Sequence, residues 1–375
     1  MEEPPTKKIR PYVTKRERRK AVEKTLDISY EEPNLNDATE LFITDETVLE
    51  YQDRLFKASL PRKVTKTATV SKTPVWCIQW CKKFSHLIAA TCGDSLKLFD
   101  VMKSKEITNV LSIRHTSPFR YCDWSRTSRQ LTTCCFDGRV NVYDFLNFGK
   151  ISDTLKVDTQ PTTIRWWEGE DNKVLIGGSN SFLASYDLRS GKEIAKYKFK
   201  CGKILALEFF TDEKSFVASS DEVNRQSAEH NLIVWDLRMG AKVSNQIFHE
   251  RYTCPCIRAH PSGANFLAQT TGNYIARFST QKPYRLDKFV RYQNHTVNEF
   301  PVSFDITKDG SFVYSGSSSE SLVCYKHSNG NYLRTVPLPP TNDGQDAACV
   351  DVRCHPVLPS MVAVSDWHGR LHVVQ

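Results

Sequence analysis

Seven short apolar segments recur along this chain at a nearly constant spacing. They are Leu96-Lys-Leu-Phe-Asp100, Val140-Asn-Val-Tyr-Asp144, Phe182-Leu-Ala-Ser-Tyr-Asp187, Leu232-Ile-Val-Trp-Asp236, Tyr274-Ile-Ala-Arg-Phe278, Leu322-Val-Cys-Tyr325 and Leu371-His-Val-Val374. Their aromatic ends fall at 99, 143, 186, 235, 278 and 325, with Val373 in that place in the last. The steps are 44, 43, 49, 43, 47 and 48 residues. A unit of that size cannot bury its apolar face alone, so neighbouring units must stack.

A period in the forties with an aromatic-Asp ending is the mark of WD repeats. The expected fold is all-β: a seven-bladed WD-repeat β-propeller over residues 61–375, four strands (a to d) per blade. Blade one reads Val75–Trp80, Leu87–Thr91 and Leu96–Phe99 for strands a to c. Later strands a are expected at Cys254–Arg258, Val302–Ile306 and Ala348–Arg353. The second strands are short apolar runs between turn residues, as expected of strands buried between blades. After Leu371–Val374 nothing remains for a fourth strand. Lys63-Val-Thr-Lys-Thr-Ala-Thr-Val-Ser71 alternates like an edge strand and is expected to close the ring there, removing an exposed edge.

The usual side-chain network of such repeats is degenerate here. Blade two could keep His115, Asp137 and Tyr143; blade six keeps His295, with Glu320 near the Asp position. Blade four carries a polar insert at 221–230. It reads as a tolerated surface loop, or as a protrusion that contacts a partner.

Residues 1–60 form an extension expected to be largely disordered, with a short helix over 45–58 that Thr44 could cap and Pro61 would end. It opens with a basic cluster: Lys7, Lys8, Arg10, Lys15, Arg16, Arg18, Arg19 and Lys20. Two such clusters around a short spacer read as a nuclear-import signal; the bland alternative is a solvated tail. The segment 31–50 then turns acidic. No run approaches the roughly 18 apolar residues of a membrane span, and Met-Glu-Glu-Pro-Pro is no apolar signal core. The expectation is a soluble protein of the nucleus, with the cytoplasm as the alternative.

Twelve cysteines occur without a Cys-x-x-Cys pair. Most fall inside expected strands, where a reduced thiol is a small apolar filler, and no metal site is expected. The formal net charge of +8 is mild for this length and does not establish nucleic-acid binding. No nucleophile–base–acid grouping, phosphate loop or dinucleotide fingerprint appears. No catalytic residue, cofactor or small-molecule substrate is therefore assigned, and the expected partners are other proteins.

Three interaction surfaces remain. In the first, Lys282, Arg285, Lys288 and Arg291 interleave with aromatics. They suit RNA backbone contact and base stacking, but the favoured reading is an outer strand whose charges discourage edge pairing. In the second, Tyr186-Asp-Leu-Arg189 and Trp235-Asp-Leu-Arg238 place Arg189, Asp236 and Arg238 in a motif. It resembles that of WD-repeat substrate receptors of cullin-four ubiquitin ligases. The third is the rim before each strand a, where Lys203, Arg251, Tyr252, Glu299 and Phe300 border the channel; aromatics and Arg there make hot spots, with ordinary loop packing as the alternative.

Four stretches carry a more specific resemblance: Asn245-Gln-Ile-Phe-His-Glu-Arg-Tyr-Thr-Cys-Pro255, Phe266-Leu-Ala-Gln-Thr-Thr-Gly-Asn-Tyr274, Pro283-Tyr-Arg285 and Cys354-His-Pro-Val-Leu-Pro-Ser360. They resemble the WD repeat-containing protein 25 family, which is similar in turn to pre-mRNA-processing factor 17. The resemblance implies a non-catalytic scaffold in a nuclear ribonucleoprotein setting.

Overall fold

Each strand b is buried along nearly its whole length because both its faces are covered. Leu87–Cys92, the second strand of blade one, is buried at every residue. The outermost strand, Thr108–Arg114, is exposed at its ends and alternates inward only at Leu111 and Ile113. That gradient from channel to rim sets the architecture. The computed structural model describes residues 60–375, apart from 148, 168, 171, 199–201, 213, 222–230, 245–246, 299–300 and 342–347. The expected helix over 45–58, the basic cluster, most of the 221–230 insert, Glu299 and Phe300 therefore lie outside the described residues.

Seven antiparallel sheets form the ring. Strands a, nearest the channel, are Val75–Trp80, Phe119–Trp124, Pro161–Trp166, Ile204–Phe209, Cys256–Ala259, Phe304–Ile306 and Cys349–Cys354. Among the described residues, one apolar cluster lies between each neighbouring pair of blades. The inter-blade seams are thus the core. All eleven described cysteines are buried there as free thiols.

The ring closes as expected. Val64–Thr69 runs antiparallel to Arg370–Val374, with Thr67 opposite His372 and Ala68 opposite Leu371. It is strand d of blade seven, and it couples the two ends of the propeller. Gly369 makes the junction. Its φ is +78°, and a Cβ there would stand 2.2 Å from the Ser71 carbonyl oxygen. The Val70 and Ser71 N–H groups donate to the Gly369 carbonyl at 2.8 and 3.1 Å.

Two expectations need correction. Blade four was expected to have four strands but has three among the described residues, Ile204–Phe209, Ser215–Ser220 and Leu232–Asp236. In place of the fourth stands a single bridge between Trp235 and Lys242. The Ser244 hydroxyl accepts the Val234 N–H at 2.8 Å, where a ladder would use a backbone carbonyl. The segment still reaches strand c through the Val243 N–H, which donates to the Val234 carbonyl at 3.0 Å, and through the Ala241 carbonyl, which accepts the Asp236 N–H at 2.9 Å. Secondly, the blade-two network does not assemble around His115. Its Nδ1 accepts the Ser117 N–H at 3.1 Å within its own turn, while Asp137 Oδ1 accepts the Arg139 N–H at 3.1 Å. In blade six His295 bonds Tyr325 Oη at 2.8 Å and Gln269 Nε2, from blade five, at 2.7 Å.

Candidate functional site

A one-residue bulge recurs where strand a pairs with strand b. The register jumps between Val75 and Cys77, Phe119 and Tyr121, Pro161 and Thr163, Ile204 and Ala206, and Cys349 and Asp351. The skipped residues are Trp76, Arg120, Thr162, Leu205 and Val350. A bulge re-aims the extra side chain and interrupts the face alternation. Trp76, Arg120, Thr162 and Val350 thereby line a pocket at the upper end of the central channel.

This mouth is aromatic and cationic. The Arg120 guanidinium carbon lies 4.8 Å from the Trp76 ring centre. Trp367, in the turn between strands b and c of blade seven, meets Trp76 edge-on at 5.4 Å. An arc Trp367–Trp76–Arg120 thus spans blades seven, one and two. Stacking a guanidinium on an indole contributes about 0.5–2 kcal/mol, more as it is desolvated. Lys203 stands on the same rim in blade four, half-buried. Burial, and then the charge of Arg120, lower its pKa.

Below the mouth lies a waist of charge. One residue per blade occupies the same place in strand a: Gln79, Asp123, Arg165, Glu208, Arg258, Asp305 and Arg353. From blade two to blade seven the signs alternate. Arg165 pairs with Glu208 at 2.7 Å, and Arg258 bridges Glu208 and Asp305 at 3.5 and 3.4 Å. Arg353 Nε donates to the Ile78 carbonyl at 3.0 Å, crossing from blade seven to blade one. Seven places cannot alternate all the way round, and the neutral Gln79 takes the odd one. Burial raises the carboxyl pKa of Glu208 and Asp305, partly offset by the arginines. It pushes Asp351 up to about 6.

Tyr121 floors the mouth. Its hydroxyl accepts from Arg353 Nη2 at 3.3 Å and from Gln79 Nε2 at 3.5 Å, and Arg165 sits 5.9 Å from its ring. The equivalent residues in the other blades, such as Cys77, Thr163, Ala206 and Ser303, are small enough to leave it room. The mouth is therefore a blind pocket with a polar floor.

The residues expected from sequence are dispersed. Tyr252 is 40 % exposed, and its ring lies 6.3 Å from Tyr274, over Gly272. Arg251 beside it is exposed. Both share the rim with Lys203. Strand c runs parallel to strand a, so Arg189 and Arg238 lie at the opposite end of the molecule, both exposed. Asp236 Oδ1 accepts the N–H groups of Arg238 and Met239 at 2.9 and 2.8 Å. Asp187 and Asp100 cap their own turns in the same way. Lys282, Arg285, Lys288 and Arg291 are exposed along strand d of blade five, Leu286–Tyr292, and its approach. Arg291 is committed to Glu250 at 2.7 Å. Phe289 projects with 98 % of its surface exposed.

Trp76, Arg120, Trp367 and the waist were missed by the sequence reading. Aligning the seven strands a on their last residue would have exposed the waist, since its alternation of charge is visible once the register is set.

Among the described residues no group of three or more His, Cys, Asp or Glu could hold a metal ion. The model of the WD domain, G-beta repeat, family matches residues 107–144, from strand d of blade one through strand c of blade two. The chain is 33 % identical over 320 residues to mouse WD repeat-containing protein 25, covering 84 % of this chain and 58 % of that protein. It is 22 % identical over 322 residues to yeast pre-mRNA-processing factor 17, covering 85 % and 68 % of the two chains. It is 22 % identical over 317 residues to the human factor of that name, covering 84 % and 52 %. The chain thus spans little more than half the length of the mouse and human relatives. The seven sheets make this chain a seven-bladed β-propeller, one of whose repeats matches the WD domain, and its sequence is similar to those WD-repeat relatives.

Proposed function

We propose that this chain is a non-catalytic scaffold for protein–protein contacts in a nuclear complex that processes pre-mRNA, with the channel mouth as its main contact surface. The carrying observation is the Trp367–Trp76–Arg120 arc, raised by bulges on a closed and rigid ring. Arg and Trp at the centre of a concave surface are the residue types that dominate binding energy. The similarity to pre-mRNA-processing factor 17 supports the setting. Thr67, His372 and Asp366 form a chain of bonds like that of a hydrolase, but His372 and Asp366 are fully buried and the chain serves ring closure.

Affinity purification of the tagged chain from nuclear extract, read by mass spectrometry, tests this. Enrichment of spliceosomal proteins is expected, and its loss in Trp76→Ala. Neutralising Lys15, Arg16, Arg18, Arg19 and Lys20 is expected to move the protein to the cytoplasm; unchanged location refutes the import signal.

A second reading is a cullin-four substrate receptor. It is favoured by Arg189 and Arg238 standing exposed at the same end of consecutive blades. Capture of the ligase adaptor, abolished by Arg238→Ala, would decide for it.

A further inference from the structure

Strand d of blade five does not pair evenly with its neighbour. Arg291 stands opposite Ala276 and Leu286 opposite Phe278, so residues 287–290 bulge against Arg277 alone. The bulge is pinned from both blades it touches. Arg277 Nε and Nη2 donate to Asp287 Oδ2 at 3.1 and 2.5 Å, and its Nη1 reaches the His327 and Ser328 carbonyls of blade six at 3.4 and 3.3 Å. Val290, next to Phe289, is buried in the seam to blade six. A bulge re-aims a side chain. This one holds the Phe289 ring out in solvent on a fixed backbone, 98 % exposed.

Charge surrounds the ring. Four cations and one carboxylate stand from Lys282 to Arg291. Asp287 is spent on Arg277, and Arg291 is committed to Glu250. Among the described residues no carboxylate pairs with Lys282, Arg285 or Lys288, and all three are exposed. A protective edge needs such cations but not the ring, since a bare phenylalanine on an outer strand invites the association that edge charges prevent. An anchor for a protein pocket sits within a rim that excludes water. Beside Phe289 the exposed residues of the strand are instead cations. A π-face set among unpaired cations along one strand is the arrangement that stacks a base and holds its phosphates.

We infer that the outer strand of blade five binds single-stranded RNA, one base stacking on Phe289 while Lys282, Arg285 and Lys288 hold phosphates to its sides. This goes beyond the scaffold reading, from which it takes only the choice of RNA over DNA.

Fluorescence anisotropy of the full chain with labelled dodecauridylate, and mass-spectrometric mapping of the crosslinks formed by its 4-thiouridine version, test the inference. Crosslinks are expected within 285–292. Phe289→Ser should weaken binding about fivefold or more with the salt dependence unchanged, and Phe289→Tyr, which keeps a ring, should retain the affinity. Lys288→Gln should lower the slope of log affinity against log salt by about 0.7, the loss of one phosphate contact on a single strand. Lys192→Gln, exposed on the outer strand of blade three, should leave the blade-five crosslinks unchanged. Crosslinks confined to the basic cluster at 7–20, or affinity unchanged in Phe289→Ser, overturn the inference. Tighter binding of labelled dodecathymidylate overturns the choice of RNA. Nuclear proteins lost in Phe289→Ser, with no crosslink in 285–292, overturn it in favour of a protein partner. Crosslinks in 285–292 without any captured protein would instead remove the scaffold reading and leave this site standing.

Discussion

Thr67 Oγ1 stands 3.0 Å from His372 Nδ1, so residues 305 positions apart in the chain share a hydrogen bond. His372 Nε2 lies 3.2 Å from Asp366 Oδ2, and Arg370 Nε reaches the same oxygen at 2.6 Å. Burial alone would raise the Asp366 pKa; the bonds from His372 and Arg370 hold it below the usual range. The closing strand is thus locked by polar bonds as well as by its backbone ladder. Deleting residues 1–60 should leave a cooperatively folded propeller. Deleting 1–72 removes the strand, bares the edge at Arg370–Val374 and should lower the melting temperature by at least about 10 °C, given that 1 kcal/mol moves a domain above 150 residues by roughly 2–4 °C. Coincident melting curves for the two truncations would refute the closure.

Gly369 tests the same seam from the other side. Alanine there must hold φ +78° while its Cβ approaches the Ser71 carbonyl within 2.2 Å. Gly369→Ala should cost at least about 1–3 kcal/mol in denaturant unfolding. Gly191, at φ +68° with open space around it, should lose less on the same change.

The waist predicts an asymmetry between breaking and replacing. Arg258→Met leaves Glu208 and Asp305 facing each other without their shared cation and should cost about 3–5 kcal/mol. The double change Arg258→Met and Asp305→Leu should recover part of that loss, because Glu208 keeps Arg165 at 2.7 Å and no carboxylate is left without a cation. Chemical denaturation of the single and double variants measures both.

Buried histidines make stability depend on pH. Burial lowers His295 to about 4 and His355 to about 3. In the unfolded chain each protonates near 6.5. Folded pKa values lie below unfolded ones, so the unfolded state binds more protons as pH falls below 6.5. Each histidine then withdraws up to about 1.4 kcal/mol per pH unit until its folded value is reached. Asp351 acts oppositely: its folded value of about 6 exceeds the unfolded one, so its penalty fades as pH falls through 6. Two histidines outweigh one aspartate, and stability at pH 5 should be lower than at pH 7. His295→Gln should flatten that slope; a slope unchanged from wild type contradicts the assignment.

Phe289 stands almost fully exposed on the outer strand of blade five. Its N–H donates to Asp287 Oδ1 at 2.9 Å, which turns the ring into solvent between Lys288 and Val290. An exposed aromatic beside cations suits base stacking. Photocrosslinking to single-stranded RNA should fall several-fold in Lys288→Glu and in Phe289→Ser. Equal crosslinking in both would return the strand to a purely protective role.

Much of the ring was legible because its signals are local. Runs such as Leu87–Cys92 and Val362–Asp366 are apolar between turn residues, and the leftover Leu371–Val374 called for a partner strand. Trp76 and Arg120 were not legible. In Val75-Trp-Cys-Ile the tryptophan reads as one more core residue, and only the bulge turns it to the channel. A one-residue slip of register changes a side chain's face, and nothing in the local composition announces it. The blade-four edge failed for a related reason, since Ser244 accepts a bond that the repeat pattern assigns to backbone. The basic cluster, Glu299 and Phe300 lie outside the described residues and stay as proposed.

The neutral Gln79 carries one more consequence. An odd circle of alternating charges closes only with one silent member, and here that member lies in blade one, next to the seam where the ring is zipped. Removing any single blade from three to six would bring two like charges side by side at the waist, and doubling one would do the same. The charged waist therefore works as a parity check on the number and order of repeats, penalising the blade gains and losses to which repetitive sequences are prone.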